Sequence, residues 1–192
     1  MDRIICVVGP TASGKTKLAV QLAKAYDGEV VSCDSMQIYK HMDIGTAKPT
    51  PEEMEGVRHH LIDIIEPGED FSVGKYVQLA DACVQDILSR GRTVIIAGGT
   101  GLYVDSLISG RTFAPVPQTG KREALEARMR EAGGEAMLET LRAVDPEAAQ
   151  RLHPADEKRI IRALEVYEET GKTITQHNLE TQAIPPRYRP VW

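Results

Sequence analysis

No stretch of the 192-residue sequence is long and apolar enough to cross a membrane as a helix, which takes about 20 consecutive apolar residues. Cysteine is scarce. Cys6, Cys33 and Cys83 are odd in number, widely spaced and set among apolar neighbours. That pattern excludes a disulfide framework or a zinc site and suits reduced core thiols. Positive charge is also in deficit: 23 Lys and Arg stand against 28 Asp and Glu, a formal net charge of −5. A generic polyanion binder is thereby excluded, and any nucleic-acid partner must be met by a local patch. Hydrophobic residues at 42% and charged ones at 27% lie near globular averages, which excludes wholesale disorder. The length supports one substantial core with a smaller appendage. The first apolar run begins at Ile4, leaving no room for a signal peptide, so the cytoplasm is the expected compartment and no membrane partner is expected.

Against these absences stands one dense signal, Gly9-Pro10-Thr11-Ala12-Ser13-Gly14-Lys15-Thr16. It follows the apolar run Ile4–Val8 and precedes Leu18–Ala23, whose apolar residues recur at helical spacing. Strand, glycine-bounded loop and helix in that order form the context of a phosphate-binding loop. Gly9 and Gly14 let the backbone curl so that consecutive N–H groups face an anion, and the following helix adds the positive end of its dipole. Lys15 is placed to hold phosphate oxygens, and Thr16 to offer its hydroxyl to Mg2+.

Further along, Glu29–Cys33 reads as a second strand that delivers Asp34-Ser35-Met36-Gln37-Ile38-Tyr39 to its C-terminal end. In an open parallel α/β sheet that edge binds ligands, so Asp34 is expected on the same rim as the phosphate loop. Residues Lys40 to His60 read as a loop with a short helix around Glu52 to Val57, and Leu61–Ile65 as a third strand preceded by His59 and His60. The two histidines lack suitably spaced partners for a metal. Ser72 caps a predicted helix from Val73 to about Ser89, ended by Gly91, and Thr93–Ala97 is apolar throughout, as a buried parallel strand should be. Four strands with interleaved helices predict a doubly wound α/β core. Nucleotide hydrolases with this loop carry an Asp at the end of such an apolar strand. Here that strand runs instead into Gly98-Gly99-Thr100-Gly101-Leu102-Tyr103, a second glycine-rich loop, and the nearest rim carboxylate is Asp34. That combination suits a transfer reaction at least as well as hydrolysis.

From Thr112 the composition changes. Pro115 and Pro117 suggest a linker, after which helices are expected at about Thr119–Glu131, Gly134–Val144, Pro146–Leu152 and Asp156–Glu169, with Gly171 as the last stop. Ten basic and nine acidic residues lie between Arg111 and Arg162, yet Lys158, Arg159 and Arg162 fall within about one helical turn. The expected organisation is an α/β core over 1–111, a helical insertion over 112–180 and a return toward the core over 181–192. The final Pro-rich segment reads as a loop leading into another strand, and the chain is expected to be the front part of a longer protein.

GPTASGKT at Gly9–Thr16, DSMQIY at Asp34–Tyr39, GGTGLY at Gly98–Tyr103 and KRIIRALE at Lys158–Glu165, in that order, resemble the tRNA dimethylallyltransferase family. The resemblance implies a phosphate-loop NTPase-like sheet and transfer of a dimethylallyl group from dimethylallyl diphosphate to the adenosine 3′ of the anticodon in tRNA. It further implies a catalytic set of Asp34, Lys15, Thr16 and Thr11, with Asp34 as the base, Gly9 to Thr16 on the diphosphate and Thr16 on Mg2+. The anticodon stem-loop would meet Asp34, Ser35, Met36, Gln37, Thr100 and Arg122, together with Lys158, Arg159, Ile160, Ile161 and Arg162. A monomer is the expected working unit. Three other readings of the same residues stay open: a small-molecule kinase, an enzyme prenylating free adenine nucleotides, and a chain that binds tRNA or diphosphate without catalysis.

Overall fold

The apolar runs assemble into one parallel sheet. A computed structural model describes residues 3–111, 113 and 119–192, so Pro115 and Pro117 of the expected linker lie outside the described residues. Five strands, β1 (Arg3–Val8), β2 (Gly28–Ser32), β3 (His59–His60), β4 (Thr93–Gly98) and β5 (Arg189–Val191), lie in the order β3-β2-β4-β1-β5. Every ladder is parallel. Val94, Ile95 and Ile96 of β4 are fully buried, as expected of a strand covered on both faces. Edge strand β5 tolerates Pro190, which cannot donate to a ladder.

Register decides where the site forms. Val8 pairs with Gly98, and Ser32 with Ala97, so β1, β2 and β4 end in nearly the same row. The Cys33 N–H donates to the Ala97 carbonyl at 2.8 Å, and the Thr100 N–H to the Cys33 carbonyl at 3.0 Å, extending the stitching past the strands. Gly98 is required by that closeness, since a Cβ there would lie 2.6 Å from the Cys33 carbonyl carbon.

The helices follow their sequence signals. Helix α1 (Lys15–Ala25) leaves the phosphate loop through Gly14, whose φ of 79° is left-handed. Thr50 and Glu53 form a reciprocal capping box on α2 (Pro51–Met54). The Ser72 hydroxyl caps α3 (Val73–Ser89) by accepting from the Lys75 N–H at 3.2 Å. Two expectations need correction. The third strand is His59–His60 rather than Leu61–Ile65, because Leu61 and Asp63 adopt φ of 61° and 55° and break the extended run. The Asp63, Ile64 and Ile65 N–H groups donate instead to the Gln37 and Ile38 carbonyls. Nor is Gly98–Tyr103 wholly a loop: Gly98 ends β4, and Gly101 starts α4 (Gly101–Ser109), whose Tyr103 stacks on Tyr76 at 4.1 Å between ring centroids.

Contacts divide the chain into two units, Met1–Arg111 with Pro185–Trp192, and Thr112–Ile184. The second consists of helices α5 (Lys121–Val144), α6 (Pro146–Gln150), α7 (Glu157–Thr170) and α8 (Ile174–Gln182). Helix α5 is interrupted at Gly133 (φ 81°, ψ 165°), which divides it where two helices are expected. Leu125, Met129, Leu141, Ile160 and Leu164 are among its core residues. Helix α8 was not predicted, although Thr173 and Gln176 form a capping box that announces it. No described helix is long and apolar enough to cross a membrane.

Near the opposite edge of the sheet, Glu29 is buried in β2 and accepts from Arg90 at 3.0 Å and Arg92 at 3.0 Å, with the His60 ring 2.7 Å away. The Arg90 hydrogen bonds, aided by His60 and Arg92, outweigh the cost of burial and hold its carboxyl well below the usual range. A depressed folded value means that the stabilisation is present above about pH 4.5 and fades as pH falls toward it. Glu29→Gln should therefore cost roughly 1–3 kcal/mol at pH 7, and urea unfolding at pH 3 should show a smaller gap between variant and wild type. Gly98→Ala should cost roughly 1–3 kcal/mol by overpacking, read as a melting temperature about 2–12 °C lower.

Candidate active site

The shared row of strand ends gathers the loops that follow β1, β2 and β4. A cavity of about 310 Å³ opens there, lined by Thr11 to Lys17, by Asp34 and Gln37, and by Ala97 and Gly98. The phosphate loop and the rim aspartate thus face one space, although 17 residues of chain separate Thr16 from Asp34. Ala12 at φ 63° and Gly14 at φ 79° curl the loop. The Ser13 hydroxyl donates to the Pro10 carbonyl at 2.9 Å, and the Lys15 ammonium donates to the same oxygen. Lys15 and Thr16 open α1, where the first N–H groups have no intrahelical partner and the helix dipole favours an anion.

Asp34 is half-buried and caps its own turn: its Oδ1 accepts from the Met36 N–H at 2.9 Å. Ser35 is fixed from the neighbouring strand end, its N–H donating to the Thr100 hydroxyl at 2.9 Å, which in turn lies 3.3 Å from the Ser35 hydroxyl. Met36 is exposed beside them. Gln37 bridges inward and outward, accepting from the Ser32 hydroxyl at 3.1 Å and donating to the Ala47 carbonyl at 3.1 Å. Asp34, Ser35, Gln37 and Thr100 are therefore brought into one neighbourhood by the packing of β2 against β4.

Lys48 was not singled out by sequence. Its side chain is 6% exposed and reaches Asp43 at 2.6 Å, Asp63 at 2.5 Å and the Tyr39 carbonyl at 2.9 Å. Burial pushes its pKa down, but the hydrogen bonds to both carboxylates prevail and the net shift is upward. This cation ties the loop carrying Thr46, Ala47 and Pro49, which form one wall of the cavity, to the Leu61–Ile65 segment. Its partners are five and 15 residues away, so no local pattern announces the role.

Arg122, Lys158, Arg159 and Arg162 belong to the helical unit. Lys158 and Arg159 are exposed. Arg122 on α5 and Arg162 on α7 converge on one oxygen of buried Glu165, at 3.6 and 2.8 Å. A single carboxylate thus sets two cations side by side. Ile160 and Ile161 are different: both are buried in the core of this unit, because their positions on α7 turn inward. Their side chains pack rather than face solvent.

Cys6 and Cys33 are buried thiols that burial pushes up to about 12, so neither offers a thiolate near neutrality. Among the described residues no group of three His, Cys, Asp or Glu could hold a metal ion. Magnesium needs less, since it keeps waters and is bound through one or two protein oxygens plus phosphate. The Thr16 hydroxyl is a hard-oxygen donor lining the cavity and fits that requirement.

Comparison with known proteins identifies the family. The family model for IPP transferase matches residues 37–192. The tRNA dimethylallyltransferase of Acetivibrio thermocellus is 49% identical over 189 residues, which cover 98% of this chain and 60% of that protein. That of Geobacillus thermodenitrificans is 54% identical over 176 residues, covering 91% and 56%. Among solved structures, the full-length tRNA isopentenylpyrophosphate transferase of Bacillus halodurans matches with a TM-score of 0.63 at 43% identity, over 100% of this chain and 59% of that one. A eukaryotic dimethylallyltransferase solved in the course of acting on tRNA matches with a TM-score of 0.85 at 30% identity, over 100% of this chain and 47% of its own. The chain spans about three-fifths of the length of the curated relatives it matches. With four-fifths of its residues under the family model and its four motifs in the expected order, the chain belongs to the IPP transferase family.

Proposed function

We propose that this chain carries out dimethylallyl transfer from dimethylallyl diphosphate to the N6 amine of the adenosine 3′ of the anticodon in tRNA, releasing diphosphate. The observation that carries the reading is the common cavity of the phosphate loop and Asp34; the other carboxylate on its lining, Glu53, is engaged in the capping box of α2, where it accepts from the Thr50 N–H at 3.0 Å. The diphosphate lies in the loop of Gly9 to Thr16 against its N–H groups, Pro10 having none, with Thr11 on the cavity lining and Lys15 swinging from the Pro10 carbonyl onto a phosphate oxygen. The Thr16 hydroxyl would hold a magnesium ion, which when bound would supply further positive charge against the leaving diphosphate.

The exocyclic amine of adenine is a weak nucleophile because its lone pair is delocalised into the ring. As its nitrogen bonds to C1 of the dimethylallyl group, the C1–O bond breaks, the electron pair leaves with the diphosphate, and an N6 proton passes to the Asp34 carboxylate. Charge growing on the leaving group is met by the preorganised loop N–H groups and Lys15. The base must leave its stack to reach this position. Ser35, Met36, Gln37 and Thr100, clustered beside Asp34, are suited to contact single-stranded loop bases by edge and stacking interactions. Arg122, Lys158, Arg159 and Arg162 supply the local positive charge for phosphates that the acidic chain otherwise lacks.

Asp34→Asn preserves the acceptor for the Met36 N–H and removes only the basic oxygen. Prenyl transfer to an anticodon stem-loop should fall by about 10²–10⁴, while affinity for inorganic diphosphate stays at the wild-type value. Equal loss of both would refute the assignment of Asp34 as the base.

A further inference from the structure

The helical unit contains a second cavity, of about 480 Å³, between α6, α7 and α8. Its polar lining is of one sign. Arg151, Lys158, Arg159 and Arg162 border it, and no carboxylate does so among the described residues. Its floor is aliphatic, formed by Leu152, Ala163 and Ile174, and the exposed amide of Asn178 stands at its margin. On a chain with a formal net charge of −5, four cations around an apolar floor are a local reversal of the prevailing field.

Arg151 is the built part of this site. Its Nη2 donates to the Thr175 hydroxyl at 3.4 Å, and that hydroxyl donates to the buried carboxylate of Asp145 at 2.8 Å. Asp145 is itself committed, accepting from the Ala148 N–H at 3.1 Å and the Thr175 N–H at 3.0 Å. The guanidinium is thus oriented from the core outward. Its other contact, with Glu147 at 3.2 Å, is a pair exposed by 58% and 60%, the kind that contributes little and yields readily to a phosphate. Arg159 pairs with Asp156 at 3.6 Å and is 74% exposed.

From this arrangement we infer that the cavity receives one nucleotide of the tRNA. Its phosphate lies on Arg151 and Lys158, its sugar and base cover the Leu152 and Ile174 floor, and Asn178 hydrogen-bonds a base or ribose edge. The volume is within the range of small-ligand pockets. The inference rests on the tRNA reading above and extends it to Arg151 and Asn178, which no sequence motif marks. A polyanion without an apolar face would leave the floor uncovered, which favours RNA over an acidic peptide.

The test is fluorescence anisotropy of a labelled anticodon stem-loop with wild type, Arg151→Gln and Asn178→Ala at several salt concentrations. Gln at 151 keeps a donor for Thr175, and Asn178 is exposed, so both variants should melt with the wild type. Arg151→Gln should weaken binding about tenfold and lower the slope of log affinity against log salt by about 0.7–0.9, one phosphate contact. Asn178→Ala should weaken binding severalfold with the slope unchanged, because a neutral contact displaces no counterion. Wild-type affinity and slope in both variants would overturn the inference while leaving the tRNA reading intact. Failure of the wild type to bind would remove both. Displacement of the RNA by poly-glutamate as effectively as by unlabelled RNA would identify a general anion patch and overturn the inference alone.

Discussion

The parallel register that ends β1, β2 and β4 in one row is the constraint on which the rest depends. It turns three distant segments of chain into neighbours. Gly98 makes the approach close enough, since its missing Cβ leaves room for the Cys33 backbone, and the Thr100 hydroxyl then fixes Ser35 from the adjacent strand end. A phosphate loop alone binds anions. Here it shares one cavity with the Asp34 carboxylate, the juxtaposition on which the proposed transfer rests.

Buried carboxylates recur as the ties that orient cations. Glu29 collects Arg90, Arg92 and His60 near the β3 edge of the sheet, while Glu165 collects Arg122 and Arg162 in the helical unit. Asp145 orients Arg151 through Thr175. Removing the cations of such a group leaves an uncompensated carboxylate in poorly solvated surroundings. Three buried carboxylates of an acidic chain thus serve to orient arginines, and in the helical unit this gives the local positive charge that the proposed RNA partner needs.

The central strands, the phosphate loop and the capped helix α3 were legible because each is written in contiguous residues. An apolar run flanked by glycine, or a serine ahead of a helical stripe, carries its own physical cause. Asp34 was legible for a topological reason, as the first carboxylate beyond a parallel strand. Where tertiary contacts overrule local preference, legibility ended. Leu61–Ile65 has a strand's composition, but Leu61 and Asp63 take left-handed conformations and the segment bonds to Gln37 and Ile38. Lys48 and Arg151 matter through partners brought near by folding, and no spacing in the sequence records them. Helix α8 is different, since its Thr173–Gln176 capping box is a local signal carried in contiguous residues.

The central claim is that the phosphate loop holds the diphosphate of a prenyl donor rather than a nucleoside triphosphate. Thermal unfolding with magnesium, comparing a non-reactive dimethylallyl diphosphate analogue with ATP, tests it most directly. At about a hundred times its dissociation constant a ligand adds roughly 2.7 kcal/mol, a rise of about 5–11 °C for a chain of this size. The account predicts that rise with the prenyl analogue and none with ATP at the same concentration. Stabilisation by ATP alone would contradict it and return the loop to phosphoryl transfer.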